Sequence, residues 1–269
     1  MKNLINLLSL ATFLAFPQTE IKAQPEKNYK NEIILNNEEN NLALLKDYLN
    51  KKGFKIDSLL KDSRFKIYEK IVYSFKKAPE STIKGFAEYK EIIAYERKKE
   101  KISEFINNNL EKLLEAEKTY EIKKEVIASV IGIESDFGEI IGKYNPFNVY
   151  VSLYLKGHKQ EFAKIQLEEL LIFCKKNKFD VLEMKSSYAG AISYAQFLPS
   201  SLNKWFVGNE LYNIDNNILS VANYLSYFKK KTGNLLRAVY SYNPSELYVQ
   251  AVINLAKEAE KEFEKTNKK

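Results

Sequence analysis

Apolar residues recur at three- and four-residue spacings along most of this chain, a rhythm that suits helices and not a sheet. Leu42, Leu44, Leu45, Tyr48 and Leu49 line one helical face, and Leu59, Leu60, Phe65, Ile67, Ile71 and Phe75 continue it. Ala78-Pro79-Glu80-Ser81 interrupts the pattern. A long periodic stretch follows through Ile92, Ile93, Tyr95, Ile102, Phe105, Ile106, Leu110, Leu113 and Leu114. It predicts an extended helix whose heptads are too irregular for a coiled coil. Residues 122–137, 159–176, 215–231 and 244–264 read as further helices. Nine glycines and six prolines among 269 residues leave little material for a turn-rich β fold. There is no βαβ alternation and no internal repeat, so the predicted class is mainly α, with length enough for a buried core.

The same sequence restricts the chemistry. One cysteine, Cys174, excludes a disulfide framework and a multi-thiolate zinc site. One histidine, His158, argues against a histidine metal cluster or a serine-type triad. Carboxylates, amides and hydroxyls must carry the function. The net charge of +7 suits an anionic partner. The lysines, however, are spread along helices as a solvated face would have them, so nucleic acid is not the expected partner.

The amino terminus reads as an export signal, residues 1–23. Lys2 precedes an apolar run from Leu4 to Phe16, Pro17 breaks it, and Ile21-Lys22-Ala23 resembles a cleavage site before Gln24. Thirteen residues fall short of the roughly 20 that span a bilayer, so no stable membrane anchor is expected after cleavage. Loss of Lys2, Lys22 and Glu20 lowers the net charge from +7 to +6. Residues 24–38, polar and rich in Asn and Glu, read as a flexible lead-in.

One helical position is chemically odd. Ile127, Val130, Ile131 and Glu134 fall at i, i+3, i+4 and i+7, which places Glu134 on the apolar face just before Phe137-Gly138. A desolvated carboxyl there has a raised pKa and can act as a general acid. A glutamate at a helix end can equally reach water or a lysine, and periodicity alone does not choose. Asp136, two positions on, points about 200° around the helix, so no second acid shares the face. Downstream, Ser186-Ser187-Tyr188-Ala189-Gly190-Ala191 forms a small-residue loop that lets backbone approach a ligand, and Gln196 offers both donor and acceptor. Tyr240, Tyr242 and Tyr248 flank Asn243. Such sets bind sugars, aromatic faces covering the rings and amides reading hydroxyl and acetamido groups.

Taken in order, IGIESDFGEIIGKY (131–144), SYAGAISYAQFLPSS (187–201), SVANYL (220–225) and YSYNPSELYVQAV (240–252) resemble the lytic murein transglycosylase B family. KKAPES (76–81), the basic helix after it and EVIASVIGIES extend the resemblance over nearly the whole mature chain. It implies a lysozyme-like catalytic core, residues 122–265, with an additional amino-terminal helical subdomain, residues 39–121. It also implies a periplasmic enzyme whose partners are peptidoglycan glycan strands. The family cuts the β-1,4 bond between N-acetylmuramic acid and N-acetylglucosamine without water and leaves 1,6-anhydromuramoyl ends. By resemblance Glu134 is the single catalytic acid/base, and Ser187, Gln196, Tyr224, Tyr242, Asn243 and Tyr248 bind substrate. No cofactor and no metal is implied for this chain. Family members often carry an acidic calcium loop where residues 205–215 stand; here only Glu210 and Asp215 are acidic, so calcium is not expected. Ser186 and Ser193 replace usual glycines. A hydrolytic muramidase on the same scaffold, or a non-catalytic peptidoglycan-binding protein, are the alternative readings.

Overall fold

A computed structural model describes residues 29–76, 83 and 85–266. The export signal and residues 77–81 of KKAPES lie outside them. The helices run in the order α1 Tyr29–Lys51, α2 Asp57–Lys61, α3 Ile71–Lys76, α4 Phe86–Ile92, α5 Tyr95–Asn108, α6 Leu110–Tyr120 and α7 Lys124–Ser135. After them come α8 Pro146–Leu155, α9 Gln160–Asn177, α10 Pro199–Trp205, α11 Ile214–Thr232, α12 Leu235–Tyr242 and α13 Glu246–Thr266. Among the described residues, extended pairing is confined to three isolated antiparallel bridges, Tyr144–Ser186, Ser186–Ile192 and Ile192–Phe197. None of the described helices is long and apolar enough to cross a membrane.

Two expectations about elements differ from the structure. The lead-in, residues 24–38, is helical from Tyr29 onward. No glycine or proline occurs between Tyr29 and Lys52 to stop a helix. Glu38 pairs with Lys156 at 2.8 Å and the Asn41 amide donates to the Leu155 carbonyl at 3.0 Å, which fastens α1 to the end of α8. The extended helix expected through Ile92 to Leu114 is instead broken twice. Ala94 adopts φ 51° between α4 and α5, which lets Tyr89, Ile93, Tyr95 and Ile102 all be buried despite their phase change. Asn109 ends α5 by turning its amide back to the Phe105 carbonyl at 2.8 Å, competing with the helical ladder as this residue type does.

The centre of the molecule is α7. Every residue from Glu125 to Ser135 is buried, so this is a core helix packed on all sides and not merely an amphipathic one. It contacts α5, α6, α11 and α13. The apolar cluster is continuous across the 121/122 boundary: Ile102, Ile106 and Leu113 belong to the same body as Ile127, Val130, Ile131 and Val252. A core helix ending in Ile133-Glu134-Ser135 thus carries a carboxyl to the edge of the packed interior.

Candidate active site

Glu134 lies in the last turn of α7 with 5% of its surface exposed. A buried carboxyl needs polar partners. The first turn of α13 provides one: the Tyr248 hydroxyl donates to Glu134 Oε1 at 2.8 Å. Tyr248 is fully buried, and that burial together with the charge of Glu134 pushes its phenol well above the ordinary value. It therefore stays protonated and remains a donor throughout the neutral range.

The local sequence explains why two tyrosines converge here. Asn243 precedes Pro244 and is extended, φ −141° and ψ 113°, which stops α12 directly after Tyr242. Ser245 then accepts from the Tyr248 backbone N–H at 3.3 Å as α13 begins. Tyr242, on the near side of this turn, donates its hydroxyl to the Ala195 carbonyl. Burial and the charge of Glu134 raise its phenol as well. Its ring lies 5.6 Å from Phe197 and 4.7 Å from Tyr224, centroid to centroid. Asn243 itself is buried in the turn.

The loop from Ser187 to Phe197 forms the facing wall. Ser187 is wholly buried; its hydroxyl oxygen accepts from the Ala191 N–H at 3.1 Å and its own N–H donates to the Ala191 carbonyl at 2.9 Å. Ser187 therefore shapes the turn. Gly190 completes it at φ 81°, where a Cβ would come within 2.3 Å of the Tyr150 hydroxyl. Gln196 takes φ 49° and donates its amide to the Ser193 carbonyl at 2.7 Å. Its Oε1 is buried without a partner, and so is the Ser193 hydroxyl. Two orphaned polar atoms in one loop are costly unless a ligand or water completes them. Ser193 has φ 70°, a left-handed conformation that glycine adopts more readily, whereas Ser186 sits in the bridge to Tyr144.

The structure thus brings Glu134, Tyr248, Tyr242 and the Gln196 loop together. Ser187 and Tyr224 stand one layer back, the latter in an aromatic cluster, edge-on to Trp205 and tilted against Phe228. One contributor was not singled out from the sequence. Asn217, wholly buried on α11, accepts from the Ala195 N–H at 3.0 Å and donates to the Leu211 carbonyl at 2.8 Å, tying the wall to the next loop. Its one sequence signal is an amide on an otherwise apolar helical face. Asp136 points away from Glu134, into Lys98 at 3.1 Å and Arg97 at 2.5 Å.

The 205–215 interval does not fit a calcium site. Asn213 accepts from the Asn216 N–H at 3.1 Å as the cap of α11, and the Asn216 amide donates to the Glu210 carbonyl at 3.2 Å. The Asn213 side-chain oxygen and the Glu210 carbonyl serve the helix start, and Glu210 and Asp215 are the interval's two acids, few for a hard cation.

Comparison with known proteins places this geometry. The chain is 29% identical over 129 residues to membrane-bound lytic murein transglycosylase B of Escherichia coli (strain K12), a match that takes in 46% of this chain and 36% of that protein. It therefore spans only about a third of that relative's length. Soluble lytic transglycosylase SltB1 from Pseudomonas aeruginosa superposes with a TM-score of 0.72 at 21% identity, covering 82% of this chain and 98% of that one. SltB3 from Pseudomonas aeruginosa, solved in complex with NAG-anhNAM-pentapeptide, gives 0.69 at 18% identity, over 82% of this chain and 78% of that one. These structures have the same mainly α, lysozyme-like fold. The model of the transglycosylase SLT domain matches residues 37–236, which include α7 with Glu134 and the whole Gln196 loop. On that match, and with the fold agreeing, this chain belongs to the transglycosylase SLT domain family.

Proposed function

We propose that this protein is a lytic transglycosylase, cleaving the β-1,4 bond between N-acetylmuramic acid and N-acetylglucosamine in peptidoglycan and leaving 1,6-anhydromuramoyl ends. The observation that carries the reading is a buried carboxyl, Glu134, held by the Tyr248 hydroxyl at the end of the core helix. Ordinary glycosidases work with two carboxylates flanking the bond. The nearest acid in sequence, Asp136, is turned away and spent on Lys98 and Arg97. One carboxyl suffices if the sugar supplies its own nucleophile. Glu134 protonates the glycosidic oxygen as the C1–O bond breaks. The resulting carboxylate then takes the proton from the muramoyl C6 hydroxyl as that oxygen bonds to C1. The proton returns to Glu134 and no water is consumed.

In this reading Tyr248 acts through Glu134 by donating its hydroxyl to Oε1 and fixing it. Tyr242 and Asn243 border the muramoyl position, Gln196 Oε1 accepts from a sugar hydroxyl or acetamido N–H, and Ser187 and Tyr224 keep the walls in shape. Residues 122–265 would be the catalytic core and 39–121 the appended helical part. The substrate places the working protein in the cell-wall compartment, the destination expected from residues 1–23. The anhydro-sugar ligand of the SltB3 complex is the class of product proposed here.

Glu134→Gln tests the assignment. The amide keeps the shape and removes the transferable proton, so sacculus clearing should fall by about 10²–10⁴-fold. Sacculus binding and melting temperature should stay near wild type. Clearing at the wild-type rate would remove Glu134 from the chemistry, loss of binding along with clearing would make Glu134 a binding residue, and a wild-type protein that binds sacculi without clearing them would be a binding protein.

A further inference from the structure

Two consecutive residues after the catalytic glutamate's turn, Asp136 at φ 53° and Phe137 at φ 62°, lie in the left-handed region without being glycine. Such a pair is strained by of order 1–3 kcal/mol per residue and persists only where surroundings over-determine it. Here one face of α5 does so. The Asp136 side chain is 1% exposed and meets Lys98 (6% exposed) at 3.1 Å and Arg97 at 2.5 Å, with Lys101 at 3.7 Å. Phe137 folds back over Gly132 and lies 5.1 Å from the Phe105 ring. Positions 97, 98, 101 and 105 share a helical face, so a single element grips both strained residues, one by charge and one by its ring.

We infer that this grip is a positioning device for Glu134: α5 sets the end of α7 so that the carboxyl meets the Tyr248 hydroxyl on α13. The inference rests on Glu134 being the acid/base. The turn Asp136–Phe137 follows Glu134 by only two residues, and its backbone is closed by Ile140 N–H donating to the Ser135 carbonyl at 2.8 Å. Without the grip the left-handed pair relaxes and the last turn of α7 rotates. An error of about 1 Å at a reacting group can cost roughly 10²-fold in rate. Asp136 and Lys98 are thus positioning residues, touching neither substrate nor the reacting atoms. The amino-terminal helical part reaches the chemistry through them.

The test separates positioning from stability. Asp136→Asn alone strands a buried Lys98 charge and should lower both melting temperature and kcat. Lys98→Met combined with Asp136→Asn removes both charges together, and neutral replacement of a buried pair commonly restores stability; asparagine also tolerates the left-handed backbone. This double variant should regain most of the melting temperature while kcat stays at least about ten-fold below wild type with KM within about two-fold. Arg97→Gln with Lys101→Gln removes the outer, solvent-reaching half of the grip and leaves the buried pair, so folding is not at risk. It should show a smaller kcat loss, again with KM unchanged. Recovery of wild-type kcat alongside melting temperature in the first, or wild-type kcat in the second, would overturn the inference. Glu134→Gln run in parallel keeps the two claims apart: an active Glu134→Gln enzyme refutes the catalytic assignment, whereas an inactive one beside unaffected grip variants refutes only the grip.

Discussion

The contact that most constrains the chemistry is a single hydrogen bond, from the Tyr248 hydroxyl to Glu134 Oε1. A bond to a charged group is worth about 1.5–3 kcal/mol. Tyr248→Phe keeps the ring in its pocket and removes the donor, so kcat should fall roughly ten- to a hundred-fold with little change in KM, read from muropeptide release. A KM effect without a kcat effect would instead put Tyr248 on the substrate. The burial of Glu134 was legible as a carboxyl at i+7 of an apolar stripe, but that pattern alone did not separate an acid/base from a helix-end glutamate reaching water or a lysine. Its partner's buried position was not legible, because Tyr248 is 114 residues away and one tyrosine among 18 carries no local signal. The partners of Asp136 were hidden for the same reason, since Lys98 and Arg97 lie 38 and 39 residues away on α5. Ser187 was read as a substrate contact, and its bonds in the structure serve the turn.

Among the elements, α7 is the one whose neighbours leave least room. At Gly132 a Cβ would lie 2.6 Å from two carbons of the Phe137 ring, which is itself held against Phe105. Gly132→Ala, though favourable for an isolated helix, should therefore destabilise the protein by about 1–3 kcal/mol through overpacking. The checks are a lower denaturant midpoint and a kcat loss, since Phe137 belongs to the turn after Glu134. A rise in stability, as helix propensity alone would give, would show that the ring can move aside. Periodicity located α7, α9, α11 and α13, but not α8, which is buried at all ten positions and so shows no polar phase, nor the short α10 and α12. It joined α4, α5 and α6 into one because mixed three- and four-residue spacings hide a change of phase. The breaks at Ala94 and Asn109 are made by tertiary packing and an asparagine side chain, neither of which a hydrophobic pattern records.

At the scale of the whole molecule, buried phenols set the alkaline limit. Burial raises Tyr150, Tyr242 and Tyr248 well above their ordinary value, with Glu134 adding to the last two. Unfolded tyrosines ionise near pH 10, so the folded state binds more protons above that point. The stability these groups confer is complete below about pH 10 and is lost as pH rises toward their folded values. Unfolding free energy should accordingly decline above about pH 10, with the tyrosinate absorbance of these three appearing only as the chain unfolds. Their titration in the folded protein would show that water reaches them. Calcium, by contrast, should leave the melting temperature unchanged at millimolar concentration, since the 205–215 interval holds only two acids and commits the Asn213 side-chain oxygen to the start of α11. A saturable rise with calcium and none with magnesium would contradict that account of the loop.

The central claim is that one carboxyl works alone and the muramoyl sugar provides the nucleophile. A well-oriented intramolecular hydroxyl has an effective molarity of roughly 10⁵ M or more, far beyond that of bulk water. Digestion of purified sacculi in oxygen-18 water, followed by mass spectrometry of the released muropeptides, measures the choice directly. New muramic ends should be 1,6-anhydro, lighter by one water than hydrated ends, and unlabelled. Stoichiometric oxygen-18 at those ends would establish a hydrolase and would require a water-activating partner for Glu134.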